Sequence, residues 1–299
     1  MNLLATGAWN DAKENTERLE AMGHSVVFMQ QEKDAIPCQY DWIEGVVCNG
    51  LFLHHSIDKF KNLRYVQLTS AGYDKVSMDY IQKHSIEIYN ARGVYSIPMA
   101  EFAIAGILLL YKQLLFFNDN QRKHNWEKHR GLLELYCKTV CIVGCGNVGT
   151  ECAKRLKAFG CRIIGVDVFP YESCYYEKIE GIDALDTCLM QSDVVILTLP
   201  LNEQTKGLIN EQRFANMKRG SILVNISRGA VVASDALVDA LKFNLGGAVL
   251  DVFNMEPLSE NSLLWDLENV IITPHNSFMG EKNGERLTSL IIENLKGAV

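Results

Sequence analysis

Three side chains that could bind an acid and transfer a proton lie in the loops that follow three predicted strands. They are Arg228, Glu256 and His275. Because the carboxyl ends of parallel strands share one edge of a sheet, these side chains are expected to converge there. Taken singly, each has a plainer interpretation: Arg228 as a surface ion pair, Glu256 as a loop residue before proline, and His275 as packing. The preceding strands are Ile222–Val224, Ala248–Leu250 and Val270–Ile272.

A glycine-rich turn, Gly144-Cys-Gly146-Asn-Val-Gly149, joins strand Thr139–Val143 to a helix. In such a turn the first glycine permits the tight bend, the second lets backbone approach a pyrophosphate, and the third allows close packing of helix and sheet. Asp167 ends the next strand about 20 residues on, where a carboxylate accepts hydrogen bonds from ribose hydroxyls and repels a 2′-phosphate. The pattern favours NAD over NADP. A glycine-rich packing turn and a site for another nucleoside ligand are the alternatives.

Strands and helices alternate along the whole chain, which predicts two α/β units with parallel sheets. A helix from Ser96 to about Phe117 is apolar nearly all round, so it is expected to be buried between domains or subunits. A closing amphipathic helix is predicted from Glu285 to Ala298. The predicted strands are Ser25–Met29, Gly45–Cys48, Tyr65–Leu68 and Ile86–Tyr89, then Thr139–Val143, Arg162–Val166, Val194–Leu197, Ile222–Val224, Ala248–Leu250 and Val270–Ile272.

Composition excludes several classes of function. The chain has 299 residues, is 48% hydrophobic and carries a formal charge of -7, which argues against nucleic acid as a partner. Its longest apolar stretch, Phe102–Tyr111, is too short to cross a membrane. Residues 1–7 lack the pattern of a signal peptide and are predicted to form a first strand. A cytoplasmic protein is expected. The nine cysteines include no paired CxxC motif, so free thiols and no metal site are predicted.

The chain resembles the D-isomer-specific 2-hydroxyacid dehydrogenase family over nearly its whole length. The resemblance implies two Rossmann-like or flavodoxin-like parallel-sheet domains with a cleft between them. It places a substrate domain at residues 1–97 and 277–299 and an NAD-binding domain at residues 98–276. The motifs that carry it are Gly144-Cys-Gly146-Asn-Val-Gly149, Thr198-Leu-Pro200, Asn225-Ile-Ser-Arg228-Gly229, Asp251-Val-Phe through Glu256-Pro257, and Thr273-Pro-His275.

The resemblance also implies roles for individual residues. Arg228, Glu256 and His275 are the implied catalytic triad, and Asp251 is expected near the nicotinamide amide. Backbone N–H groups of Ser70, Ala71 and Gly72, together with Arg228, are expected to bind the substrate carboxylate. The implied cofactor-binding residues are Gly144, Gly146, Asn147, Val148, Gly149, Asp167, Thr198, Pro200, Thr205, Ile226 and Asp251.

These roles agree with side-chain chemistry. The guanidinium of Arg228 is a rigid fork of donors that suits a carboxylate and an adjacent carbonyl oxygen. His275 is suited to protonate the alkoxide that forms when hydride arrives from the nicotinamide, and ionised Glu256 would favour its imidazolium form. The prediction is therefore an NAD-dependent oxidoreductase that interconverts a 2-oxo acid and a D-2-hydroxy acid.

The sequence also bears on the substrate, on alternative functions and on assembly. The loop Cys48–Leu53 is neutral and apolar, which disfavours a phosphorylated substrate. An NAD-responsive regulator on the same fold is the main alternative to an enzyme. A hydrolase using Ser70 or Ser227 is disfavoured because the chain has no G-x-S-x-G motif. The resemblance implies a homodimer formed through the second unit, including the helix from Ser96.

Overall fold

The structure is a computed structural model, and it describes residues 1–297. The end of the predicted C-terminal helix at Ala298, like Val299, lies outside the described residues. The strands are β1 (Asn2–Thr6), β2 (Ser25–Met29), β3 (Gly45–Cys48), β4 (Tyr65–Leu68), β5 (Glu87–Tyr89), β6 (Thr139–Val143), β7 (Arg162–Val166), β8 (Lys178–Glu180), β9 (Val194–Leu197), β10 (Ile222–Asn225), β11 (Gly247–Leu250) and β12 (Val270–Ile272). The α-helices are α1 (Thr16–Ala21), α2 (Met78–Lys83), α3 (Ser96–Tyr111), α4 (Leu114–Arg122), α5 (Asn147–Ala158), α6 (Leu185–Gln191), α7 (Glu211–Asn216), α8 (Ser234–Phe243) and α9 (Asn283–Gly297).

The chain divides into two compact units. Unit 1 comprises Met1–Tyr95 and Gly280–Val299, and unit 2 comprises Ser96–Met279. Within residues 1–297, unit 1 has a five-stranded sheet in the order β2-β1-β3-β4-β5, and unit 2 has a seven-stranded sheet in the order β12-β11-β10-β9-β6-β7-β8. All of the pairings in both sheets are parallel, which confirms the predicted fold class.

Unit 2 buries both faces of the central part of its sheet, which explains why the central strands β6, β9, β10 and β11 are almost entirely apolar. In β6, Cys141 and Val143 pack into the core that α6, α7 and α8 cover, whereas Val140 and Ile142 pack toward α3 and α5. Successive side chains of a strand point to opposite faces, so a strand covered on both sides has no polar position.

Unit 1 is built in the same way. In β1, Leu3 and Ala5 pack against the apolar face of α9, while Leu4 belongs to the core on the opposite face of the sheet. Helix α9 contributes Leu287, Ile291, Ile292 and Leu295, so the end of the chain completes the unit in which the chain began.

The apolar helix predicted from Ser96 to Phe117 is two helices. Gln113 has a left-handed φ of 51°, and α3 and α4 meet at a bend of 67°. Helix α3 packs inside unit 2: a Cβ on Gly106 would lie 2.6 Å from Cγ1 of Val249 in β11. In the described part of the chain, no single helix is long and apolar enough to cross a membrane, and the bent pair α3 and α4 reaches that length and hydropathy only together.

Candidate active site

The glycine-rich turn forms an open cradle at the start of α5. A Cβ on Gly144 would lie 2.8 Å from the backbone nitrogen of Leu199, and one on Gly149 would lie 2.2 Å from the carbonyl oxygen of Gly144. Gly146, by contrast, has no atom within 4 Å of its Cβ position. The hydroxyl of Thr198 donates to the Gly144 carbonyl at 2.6 Å. Close packing at Gly144 and Gly149 thus fixes the turn, whereas the space beside Gly146 is open, as the binding of a pyrophosphate requires.

Asp167 and Tyr171 hold the two polar groups of Cys145, the residue inside this turn. Asp167 Oδ2 accepts from the Cys145 N–H at 2.7 Å, and the Tyr171 hydroxyl donates to the Cys145 carbonyl at 2.6 Å. Asp167 Oδ1 also accepts from the Phe169 N–H at 3.0 Å. Burial raises the pKa of the Cys145 thiol to about 12, so this sulfur is a packed thiol. Tyr171 was missed by sequence analysis because its partner lies 26 residues away along the chain.

His275 and Glu256 form a hydrogen-bonded pair. Nδ1 of His275 lies 2.8 Å from Oε2 of Glu256, and Oε1 of Glu256 accepts from the Phe253 N–H at 2.9 Å. Both side chains are partly exposed, His275 by 42% and Glu256 by 35%. Because an ionised carboxylate can only accept, Nδ1 carries the hydrogen and Nε2 is the nitrogen left for proton exchange.

Asp251 fixes the turn that carries His275. This carboxylate is fully buried at the end of β11. Oδ1 accepts from the Thr273 hydroxyl and the Asn276 N–H, each at 2.7 Å, and Oδ2 accepts from the Ser277 N–H at 3.0 Å. The Asp251 carbonyl also accepts from the His275 N–H at 2.8 Å. These bonds support His275 in a left-handed conformation, with φ at 52°, that non-glycine residues rarely adopt.

Arg228 lies in the loop after β10, beside the loop that carries Glu256. Its Nη1 donates to the Ser227 carbonyl at 2.8 Å, and its own carbonyl accepts from the Asn225 side-chain amide at 3.1 Å. A Cβ on the following residue, Gly229, would lie 1.9 Å from the Phe253 carbonyl carbon. The close backbone approach therefore joins the Arg228 loop to the residue whose N–H binds Glu256.

Comparison with known proteins identifies the family of this chain. Residues 104–277 match the sequence profile described as D-isomer specific 2-hydroxyacid dehydrogenase, NAD binding domain. The chain belongs to this family. A glyoxylate reductase of Korarchaeum cryptofilum is 35% identical over 78% of this chain and 72% of the relative, and an (S)-sulfolactate dehydrogenase of Chromohalobacter salexigens is 31% identical over 81% and 79%.

Solved structures give the same family. The D-lactate dehydrogenase of Aquifex aeolicus, solved with NAD and lactic acid, superposes with a TM-score of 0.81 at 28% identity, covering 99% of this chain and 94% of that one. This chain is accordingly an NAD-dependent oxidoreductase of the 2-hydroxyacid dehydrogenase family. The relatives named here act on different acids, so family membership leaves the substrate open.

The other residues that the family resemblance assigned to cofactor binding also lie in unit 2. The Thr205 hydroxyl donates to the Pro200 carbonyl at 2.7 Å and accepts from the Asn202 N–H at 2.8 Å, which closes the loop after β9. Ile226 is buried directly after β10. Asn147 and Val148 begin α5 at the glycine-rich turn of this 2-hydroxyacid dehydrogenase family member.

The predicted carboxylate-binding segment lies in unit 1, directly after β4. The carbonyls of its three residues all accept hydrogen bonds within that unit: Ser70 from the Ala91 N–H at 2.9 Å, Ala71 from the Asn90 side-chain amide at 2.6 Å, and Gly72 from the Ser70 hydroxyl at 3.1 Å. The carbonyl sides of these peptides are thus turned to their own unit.

Proposed function

We propose that this protein reduces a 2-oxo acid to the D-2-hydroxy acid with NADH and catalyses the reverse reaction. The observation that carries the proposal is the hydrogen bond of 2.8 Å between His275 Nδ1 and Glu256 Oε2. It fixes the imidazole orientation and leaves Nε2 to give a proton to the substrate oxygen during reduction and to take one during oxidation. Glu256 is the positioning carboxylate.

Arg228 is the proposed binding group for the carboxylate and the neighbouring carbonyl oxygen of the substrate. Its planar guanidinium can make two parallel hydrogen bonds and polarise the carbonyl group. In unit 1, the N–H groups of Ser70, Ala71 and Gly72 are proposed to bind the same carboxylate. The peptide groups that carry these N–H groups have the carbonyls of Thr69, Ser70 and Ala71, and all three carbonyls already accept hydrogen bonds within the unit, which supports this role.

NAD, when bound, supplies the hydride chemistry. The turn Gly144–Gly149 would hold the pyrophosphate, and Asp167 would accept from the ribose hydroxyls. The remaining cofactor contacts are proposed for Asn147, Val148, Thr198, Pro200, Thr205, Ile226 and Asp251. Preference for NAD over NADP is proposed because the Asp167 carboxylate repels a 2′-phosphate, and the following residues Val168 and Phe169 are exposed and uncharged.

A homodimer formed through unit 2 is part of the proposal. Large apolar side chains are exposed in and after α4, and Trp126 is 97% exposed. An apolar surface of this kind favours association with a second copy. Its other members are Leu114, Leu115, Leu132, Leu133 and Tyr136. Light scattering coupled to size-exclusion chromatography tests the assembly, and a monomeric mass at micromolar concentration would contradict it.

The reaction is tested by following NADH oxidation with a panel of glyoxylate, pyruvate, hydroxypyruvate, branched-chain, aromatic and phosphorylated 2-oxo acids. We expect turnover of at least one unphosphorylated acid, and chiral chromatography should show the D product. An L product would contradict the proposed geometry. NADH binding without turnover of any acid would favour an NAD-responsive regulator.

A further inference from the structure

A carboxylate in unit 1 occupies a group of donors that would otherwise suit an anion. Glu32, three residues beyond β2, accepts through Oε1 from the Thr6 hydroxyl at 2.8 Å and from the Asn49 N–H at 2.6 Å. Its Oε2 accepts from the Gly50 N–H at 2.6 Å. Consecutive N–H groups and a hydroxyl are the donors that bind phosphate and carboxylate groups in proteins. Here they are taken by the protein itself.

The backbone of Glu32 is also held in place. Nε2 of the buried His55 lies 3.0 Å from the Glu32 carbonyl, and the Tyr40 hydroxyl lies 3.1 Å from His55 Nδ1. A carbonyl can only accept, so Nε2 of His55 carries a hydrogen and donates to the Glu32 carbonyl. His55 therefore positions the backbone of Glu32.

Glu32 lines a crevice of about 310 Å³ at the carboxyl edge of the unit 1 sheet. The crevice lies where β1 and β3 are neighbours and the strand order reverses, which is the position where α/β sheets of this kind bind ligands. The other lining residues are Gly7, Ala8, Gln30, Gln31, Lys33, Asn49 and His54. Lys33 is exposed to solvent, so its charge is screened more strongly than that of the partly buried Glu32.

The crevice is next to the segment proposed to bind the substrate carboxylate. Strands β3 and β4 are paired, and the Thr69 N–H donates to the Cys48 carbonyl at 2.9 Å where both strands end. Nζ of Lys75, in the loop that follows Gly72, donates to the Asn49 side-chain carbonyl at 3.1 Å. Neighbouring strands lie about 4.8 Å apart. A substrate side chain of a few carbon atoms is therefore long enough to reach from the segment after β4 to the crevice at the end of β3.

We infer that this crevice receives the side chain of the 2-oxo acid and that Glu32 excludes side chains carrying a second negative charge. The preferred substrates are then 2-oxo acids with an uncharged side chain, in contrast to phosphorylated and dicarboxylic acids. Two effects act together: the donors for a second anion are occupied, and the Glu32 charge repels it. The inference rests on the proposed function, since it assigns the substrate class of the same reaction.

The test compares two acids of the same shape. In 5-methyl-2-oxohexanoate an isopropyl group replaces the terminal carboxylate of 2-oxoglutarate. We expect the wild-type protein to have a much lower kcat/KM for 2-oxoglutarate, and Glu32→Gln to raise the ratio of 2-oxoglutarate to 5-methyl-2-oxohexanoate by about tenfold. Glu32→Asp keeps the charge and shortens the reach, so it should leave the ratio low.

The thermal midpoints of the Glu32 variants show whether they fold properly. If they do not, the salt dependence of the wild-type protein tests the same inference. Raising NaCl from about 0.05 M to about 0.5 M screens like-charge repulsion, so it should raise the same ratio. A ratio unchanged by salt and by Glu32→Gln, with both acids reduced, overturns the inference alone. An equal rise in Glu32→Asp and Glu32→Gln also overturns it, because the cause would then be a loosened loop. If the wild type reduces no 2-oxo acid, the proposed function and the inference both fail.

Discussion

At the carboxyl edge of each sheet, a carboxylate accepts two consecutive backbone N–H groups and one threonine hydroxyl. In unit 1 this residue is Glu32, and in unit 2 it is Asp251. The donors to Glu32 are Asn49, Gly50 and Thr6. The donors to Asp251 are Asn276, Ser277 and Thr273. The same hydrogen-bonding pattern thus fixes one loop in each unit.

Burial separates the two carboxylates. Asp251 directly follows β11 and is fully buried, so its charge acts on the turn that carries His275. Glu32 is partly exposed and lines a crevice, so its charge also acts on whatever enters there. The comparison shows that two carboxylates with the same set of hydrogen bonds differ in what else their charge can reach, because one is fully buried and the other faces a crevice.

The largest effect is expected where unit 2 supplies the proton. His275→Asn removes the imidazole that we assign to proton transfer, so kcat should fall about 100-fold or more. NADH affinity, measured by fluorescence titration, should remain nearly intact. His84→Asn is a matched control, since His84 is exposed in unit 1 and outside the proposed site. An unchanged rate in His275→Asn would remove this residue from the mechanism.

Stability should distinguish the two carboxylates directly. Asp251→Asn places, at a fully buried position, an amide that can satisfy the donors only in part, and it should lower the free energy of unfolding by about 2–3 kcal/mol. Glu32→Gln changes a side chain that is partly exposed to water, so it should lower the free energy of unfolding by only about 1 kcal/mol. Calorimetric melting of both variants beside the wild type measures the difference. Equal shifts would show that burial does not separate the two residues.

A charge-conserving change at Arg228 should affect all substrates alike. Arg228→Lys loses the planar pair of donors, so KM should rise and kcat should fall, lowering kcat/KM by about tenfold. The factor should be the same for 5-methyl-2-oxohexanoate and 2-oxoglutarate, unlike that for Glu32→Gln. Steady-state kinetics with both acids provide the check, and kinetics identical to the wild type would place Arg228 outside the site.

The smallest expected effect concerns Asp167, a third carboxylate that accepts hydrogen bonds from two backbone N–H groups. It accepts from the N–H groups of Cys145 and Phe169 and remains partly exposed. Asp167→Ala should reduce the preference for NADH over NADPH by about fivefold, because a partly screened charge no longer repels the 2′-phosphate. The ratio of kcat/KM for the two cofactors measures this, and an unchanged ratio would mean that another residue reads the ribose.

The sequence by itself determined the fold class, eleven of the described strands within a residue or two, and the glycine-rich turn. These features depend on local patterns: apolar runs of strand length and a fixed spacing of glycines. The positions of Arg228, Glu256 and His275 in the loops after three strands could also be predicted from the local sequence. Strand β8 was missed, because Lys178–Glu180 is short and has charged residues at both ends.

Only the tertiary structure decided how these pieces meet. Glu32 binds N–H groups that follow a different strand, and Gly229 approaches Phe253 across two loops. Each of these depends on strand order, register and the direction of individual side chains. Such contacts join residues that are distant along the chain, and no local pattern encodes them.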